Sequence, residues 1–319
     1  MKNIIYIPCP ICNTSDFKNL YKLNGWQLVQ CTNCDFVYVN PKPPVDVVEE
    51  SYNLDDSGNE SFNLADGHKS YYDNGHDQDT RHINKTIQRL LKLRKSTTAA
   101  CKLMDFGCGD GTFLKQVLEA GIEGYGYDIG NWNTEALQQK ELASHVFLGN
   151  FSDASYENES FDIIYSSAVF EHLYYPQRMI EQLKQKLKPN GILALMSIPN
   201  MDSIFIRLGN DSFDGNVPLV HLNFFSKKTL SFFLLKNGFR PIYTRTWGVP
   251  LRISLFSKSK YYQSNEELGM EGWHDAIIQS HTSNLLQRLR VYGFIKKSVN
   301  SILNIINGGA VIDMIAYKR

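Results

Sequence analysis

Apolar and polar positions follow two different rhythms along the second half of this 319-residue chain. Short apolar runs occupy Lys102–Phe106, Gly124–Tyr127, Val146–Leu148, Phe161–Tyr165 and Ile192–Ile198. Between them, apolar residues recur at helical spacing and predict helices over Thr112–Ala120, Thr134–Glu141 and Pro176–Leu187. A continuous run such as Ile192-Leu193-Ala194-Leu195-Met196 suits a strand covered on both faces. Strands and helices in alternation predict an α/β fold with a Rossmann-like, doubly wound, mostly parallel sheet. Ser226 is placed to cap a helix reaching Asn237, and Gly238 to stop it. Pro241–Trp247 and Ala310–Ala316 then read as two last strands, bringing the sheet to seven.

Ahead of this pattern, Ile83, Ile87, Leu90 and Leu91 predict a helix over Thr80–Lys95, while residues 46–79 mix polar and aromatic residues as a lid or connector would. Between the last two strands, Leu285, Leu286, Leu289, Phe294, Ile295, Val299, Ile302 and Ile306 predict one or two amphipathic helices in a helical insertion over 248–308. Lys296 and Lys297 would suit a membrane surface. Packing against the core, or against a second subunit of a homo-oligomer, is the favoured reading. The chain thus divides into residues 1–45, a connector over 46–99, and a core over 100–319.

Composition narrows the partners. Lys plus Arg equals Asp plus Glu at 33 each, and no basic stripe stands out. A general nucleic-acid binder should carry a basic excess, so RNA and DNA are disfavoured. No apolar run approaches a membrane span, and the apolar start stops at Pro8 and Cys9, too short for a secretory signal. The expected location is cytoplasmic, where thiols stay reduced.

Four of the six cysteines stand as Cys9-x2-Cys12 and Cys31-x2-Cys34, eighteen residues apart. Zinc takes four thiolates in a tetrahedron, and each Cys-x-x-Cys turn can aim two sulfurs at one ion. Trp26–Gln30 and Phe36–Val39 alternate like short strands, giving a zinc ribbon. So small a unit buries too little apolar surface to fold without such a staple. Two disulfides or a redox dithiol are the competing readings. With all four ligands from protein, the metal would be structural. Pro41-Lys42-Pro43-Pro44 forms a stiff linker after it.

The stretch Asp105-Phe106-Gly107-Cys108-Gly109-Asp110-Gly111-Thr112 ends the first core strand and opens a helix. Glycines there permit unusual backbone angles and close approach of a ligand. Thr112 stands where a dinucleotide fingerprint needs glycine, and no lysine follows as a P-loop requires. Asp105 is awkward beside a phosphate. It suits a ligand with an ammonium group and no phosphate, of which S-adenosylmethionine is one. Asp128, 21 residues past Gly107, has the usual place of an acid accepting from ribose hydroxyls.

Together these residues resemble the class I S-adenosylmethionine-dependent methyltransferases, in particular a subgroup with an N-terminal four-cysteine zinc ribbon. The likeness includes Gly149-Asn150-Phe151, Phe161-Asp162-Ile163-Ile164-Tyr165, Phe170-Glu171-His172-Leu173, Leu187-Lys188-Pro189-Asn190-Gly191 and His221-Leu222-Asn223-Phe224-Phe225-Ser226. The resemblance implies that Asp105, Gly107, Cys108, Gly109 and Gly111 hold the methionine part of S-adenosylmethionine. Asp128 and Ile129 would hold the ribose side, Asn150 and Phe151 would flank the adenine, and Ser166 would lie near the reacting methyl. The acceptor is expected to be a small molecule, methylated on oxygen, such as a sugar or another biosynthetic intermediate. His221 and His172 are the candidate bases, with His221 slightly favoured, and Glu171 is placed either to orient a histidine or to cap a helix. Carbon or nitrogen acceptors, RNA methylation and a non-catalytic scaffold are the other readings.

Overall fold

The computed structural model describes residues 5–23, 26–50, 80–131, 133–208, 221–248 and 290–319. Residues 51–79 of the connector and the first part of the predicted insertion, including Leu285, Leu286 and Leu289, lie outside them.

A first sheet is built from β1 (Phe17–Leu23), β2 (Trp26–Cys31) and β3 (Val37–Val39). Its fourth strand, β9 (Asn223–Phe224), comes from far down the chain and pairs with β3 in antiparallel register, Tyr38 opposite Asn223. The ribbon therefore shares a sheet with the core instead of ending at the proline linker. That linker leads into α1 (Val45–Glu50) and buries Lys42 completely.

The second sheet has seven strands: β4 (Lys102–Phe106), β5 (Glu123–Asp128), β6 (Val146–Leu148), β7 (Phe161–Ser167), β8 (Leu187–Pro199), β10 (Phe239–Trp247) and β11 (Val311–Lys318). Their spatial order is β10-β11-β8-β7-β4-β5-β6. The five strands from β8 to β6 are parallel, and β11 runs antiparallel between β10 and β8. This is the predicted α/β sheet. The order reverses between β4 and β7, and in open α/β sheets the crevice beyond such a switch point is where ligands bind.

The helices are α2 (Thr80–Arg94), α3 (Thr112–Glu119), α4 (Thr134–Gln139), α5 (Pro176–Lys186), α6 (Ile204–Arg207), α7 (Lys227–Lys236) and α8 (Arg290–Ile305). Ser226 caps α7 in a reciprocal box with Thr229, and Gly238 follows it at φ +77°, a backbone state that glycine enters freely. Apolar side chains fill both faces of the sheet. Ile163, Ile192 and Ala194 meet Ile87 and Leu90 of α2 on one side, and Ile164, Leu193 and Leu195 meet Leu183 and Phe233 on the other. Helix α8 packs on the sheet edge, where Thr246 Oγ1 donates to the carbonyl of Leu303 at 3.1 Å. No helix among the described residues is long and apolar enough to cross a membrane.

Candidate active site and cysteine cluster

The loop after β4 is held by backbone groups before any side chain acts. The amides of Gly107 and Cys108 donate to the carbonyl of Tyr127 at 2.7 and 2.9 Å, pinning the end of β4 to that of β5. Gly107, Gly109 and Gly111 all have positive φ. A Cβ on Gly107 would lie 2.3 Å from Val169, and one on Gly111 2.5 Å from Leu142. Two conditions, dihedral and space, therefore both demand glycine at these positions.

Three acids surround this cradle, each with a different environment. Asp110 bonds Thr112 through its carboxylate and is paired with Lys140 at 2.5 Å. Asp128 accepts from the amides of Gly109 at 2.9 Å and Gly130 at 3.2 Å, although burial still raises its pKa. Asp105 differs. It is 2% exposed, and its Oδ2 has no hydrogen-bond partner among the described residues. Burial, then the nearby charges of Asp128 and Asp110, hold its carboxyl well above the usual carboxylate range. A buried acceptor oxygen left without a donor beside a glycine cradle is what a ligand ammonium would satisfy, so the residues fit S-adenosylmethionine. A pyrophosphate would instead meet three acids.

The other predicted positions fall around this loop. Ser166 is buried in β7, one residue beyond the Asp105–Tyr165 register pair, and its Oγ also lacks a partner among the described residues. Ile129 is half-buried after β5, and Cys108 is buried within the loop. Asn150 is exposed and caps a short 3-10 turn by accepting from the amide of Ser152. Phe151 follows Asn150 at the base of the same turn. It is 3% exposed and stands edge-on to both Phe106 and Tyr127. Sequence reasoning missed Asn133, whose Nδ2 donates to the carbonyl of Gly109 at 2.7 Å from complete burial. Its place at the start of α4 signals a helix cap, not a brace for the loop.

Glu171, His172 and His221 come together, with ligand-capable atoms all within 4.8 Å of one another. The two histidine rings meet edge to face with centroids 4.7 Å apart, and His172 Nε2 lies 3.9 Å from Glu171 Oε1. Glu171 is 2% exposed, and burial pushes its carboxyl up to about 8. Its Oε2 has no partner among the described residues. Nearby, Tyr174 is buried and donates its hydroxyl to the carbonyl of Pro43, whereas Tyr175 is exposed.

The cysteine cluster is equally convergent. Cys9 and Cys34 sulfurs are 3.6 Å apart and those of Cys12 and Cys31 3.4 Å, too far for a disulfide. A tetrahedron with metal–sulfur arms of about 2.3 Å has edges of about 3.8 Å, so the spacing is that of a four-thiolate site. Each pair sits on a tight turn, with Asn13 donating to Cys9 and Asp35 to Cys31, both at positive φ. Burial pushes the Cys9 thiol up to about 12, although amides of Cys12 and Ile11 work against it. At Cys12, burial is outweighed by hydrogen bonding with Thr14 and Asn33, and the thiol falls to about 6.

A five-stranded parallel run, a glycine cradle at its switch point and acids near the ends of β4 and β5 define an α/β domain with a crevice suited to a ligand. Residues 75–244, more than half of the chain, match the methyltransferase domain model, and the chain belongs to that family. Two curated relatives are a tRNA U34 carboxymethyltransferase of Idiomarina loihiensis, 32% identical over 30% of this chain, and a ubiquinone biosynthesis O-methyltransferase of Pasteurella multocida, 29% identical over 36%. The matches span 32% and 56% of those proteins' own lengths. In fold, the chain is similar to a candidate sarcosine dimethylglycine methyltransferase of Galdieria sulphuraria, with a TM-score of 0.51 at 15% identity, over 79% of this chain and 98% of the other.

Proposed function

We propose that the chain transfers a methyl group from S-adenosylmethionine to an oxygen of a small molecule, such as a sugar or another biosynthetic intermediate. The observation that carries the cofactor is the buried oxygen of Asp105 beside the glycine cradle, which has no partner among the described residues. Asp105, Gly107, Cys108, Gly109 and Gly111 hold the methionine part, Asp128 and Ile129 the ribose, Asn150 and Phe151 flank the adenine, and Ser166 lies toward the reacting group. When bound, the cofactor supplies a methyl group on a positively charged sulfur, open to in-line displacement.

The protein's own work is alignment and proton handling. Holding two reactants in line can remove on the order of 7–11 kcal/mol of barrier. His221 takes the proton from the acceptor hydroxyl, with His172 beside it and Glu171 orienting the pair; a positioned base adds roughly 10²–10⁴-fold. Neutral imidazole is suited to this near pH 7. The clustering of all three side chains supports the assignment. Cys9, Cys12, Cys31 and Cys34 hold a structural zinc ion, which the sulfur spacing supports.

Incubation with methyl-labelled cofactor and fractionated metabolites tests the reading: label should enter a small-molecule fraction, and His221→Ala should abolish this while cofactor still binds. The match to a tRNA-modifying relative favours a second reading, RNA methylation. The balanced charge weighs against it. Label appearing in RNA, with salt-dependent retention, would replace the first reading by the second. Cofactor binding without transfer to any pool would mark a scaffold.

A further inference from the structure

The segment carrying Glu171 and His172 is held from two sides, by β9 of the first sheet and by the linker after β3. On one side stands Asn223, 1% exposed in β9. Its Nδ2 lies 3.1 Å from the carbonyl of Phe170, 3.4 Å from that of Glu171 and 2.6 Å from that of Leu173. The amides of Leu222 and Asn223 both donate to the carbonyl of Glu171, at 2.8 and 3.0 Å. His172 follows Glu171, and His221 precedes Leu222. These bonds therefore fix the spacing of the two rings from the backbone outward.

The same short strand pairs with β3, the strand that follows the cysteine cluster in the chain. Tyr38 and Val37 of β3 pair with Asn223 and Phe224, and the amide of Val39 donates to the carbonyl of Leu222 at 3.1 Å. The amide of Cys31 in turn donates to the carbonyl of Phe36, and Phe36 and Tyr38 pack in one cluster with Cys9 and Cys31. On the other side, Lys42 of the linker donates to the carbonyl of Tyr174 at 2.7 Å. One run of backbone and side-chain bonds thus joins the thiolate tetrahedron to the acceptor-side histidines.

We propose that Asn223 is a positioning residue that couples the cysteine cluster to the His172–His221 pair, so that a metal-loaded ribbon is a condition for the alignment of the two rings. Without an ion, no metal–sulfur bond ties the Cys9–Cys12 turn to the Cys31–Cys34 turn; the Cys31–Phe36 turn would loosen and release β3, and β9 would lose its partner. The carbonyls of Phe170, Glu171 and Leu173 would then lose the donor that gathers them. The cradle around Asp105 does not depend on this run, since its braces come from Tyr127, Asn133 and Lys140. The proposal rests on the reading of these histidines as the acceptor-activating pair only for its consequence; the placement itself is tested without turnover.

The full-length chain, with ring carbons of histidine labelled, is compared by NMR as metal-loaded, chelated, and Asn223→Asp forms, the last replacing a donor by an acceptor facing three carbonyls. Affinity for S-adenosylhomocysteine is measured by calorimetry in each. The expected result is displacement of both the His172 and His221 ring signals in the chelated and Asn223→Asp forms, with affinity held within about twofold. Leu303→Ala, a destabilising change in α8, should leave both signals in place. Should Asn223→Asp fail to fold, Asn223→Ser keeps one donor and should give a smaller displacement of the same signals. Unmoved rings in the chelated form, or rings that move on chelation but not in the Asn223 variant, would overturn the coupling. A chain with displaced rings whose His221→Ala variant still methylates would instead remove the base assignment and leave the coupling standing.

Discussion

Replacing Asp105 by asparagine should stabilise the ligand-free protein and weaken its cofactor. In the free protein this carboxyl is 2% exposed, with one oxygen lacking any donor among the described residues and two other acids nearby. Such a buried, unsatisfied group costs roughly 1–3 kcal/mol, more when charged. The isosteric amide carries no charge and keeps the shape, so a gain of about 1–2 kcal/mol is expected, raising the unfolding midpoint by about 2–5 °C. The pH dependence has a definite sign. Because folding raises the carboxyl's pKa, the stability linked to its proton is complete below the ordinary aspartate range and is lost as pH climbs through the raised value. Asp105→Asn should flatten that decline, leaving the smaller contribution of Asp128, whose pKa is also raised. Binding runs the other way. An ammonium–carboxylate hydrogen bond is worth about 1.5–3 kcal/mol, so the variant's Kd for S-adenosylmethionine should rise about ten- to hundredfold. Calorimetric unfolding between acid and neutral pH, with titration calorimetry in two buffers of different ionisation heat, reads both effects. Wild-type binding in the variant, together with an unchanged pH slope of stability, would refute the assignment of Asp105.

Gly107→Ala should abolish cofactor binding, since the new methyl would meet Val169 at 2.3 Å and φ is +77°; adding Val169→Ala should recover the steric part and leave about 1–2 kcal/mol of backbone strain, readable as residual loss of thermal stability. Lys42→Met should stabilise the protein at neutral pH. Burial lowers this lysine from 10.5 to about 7, a penalty of at most about 5 kcal/mol, reduced by the lost bond to Tyr174. Wild-type stability should accordingly rise with pH across that interval in chemical denaturation, and the rise should vanish in the variant. Glu171→Gln should remove a fall in stability that the wild type shows as pH rises toward about 8, because burial raises this carboxyl in the fold.

The core was legible because its physics is local. Ile192 to Met196 could only be a strand covered on both sides, and Ser226 and Gly238 marked the ends of α7 by chemistry that a sequence displays directly. The glycine loop was legible for the same reason. β1 was not foreseen, since Phe17-Lys18-Asn19-Leu20-Tyr21 mixes polar and apolar residues on an exposed edge. Lys42 between prolines reads as a solvated linker, and only the tertiary fold shows a carbonyl waiting for it. The pairing of Tyr38 with Asn223 joins residues 185 positions apart, a relation that no local period encodes. The same holds for Glu171, His172 and His221, whose residue types suggested roles but whose meeting depends on that pairing.

The two-residue strand β9 also has a consequence for biosynthesis. A ribosome adding about 5–20 residues per second needs roughly 10–40 s to pass from Val37 to Phe224, and through that time the edge of β3 is unsheltered. Its valines and the adjoining thiols would be exposed to chaperones and to other nascent chains until the distant partner emerges. A fragment ending at residue 45 would stay permanently in that condition, so the N-terminal unit should be insoluble by itself yet well behaved when co-expressed with the remainder.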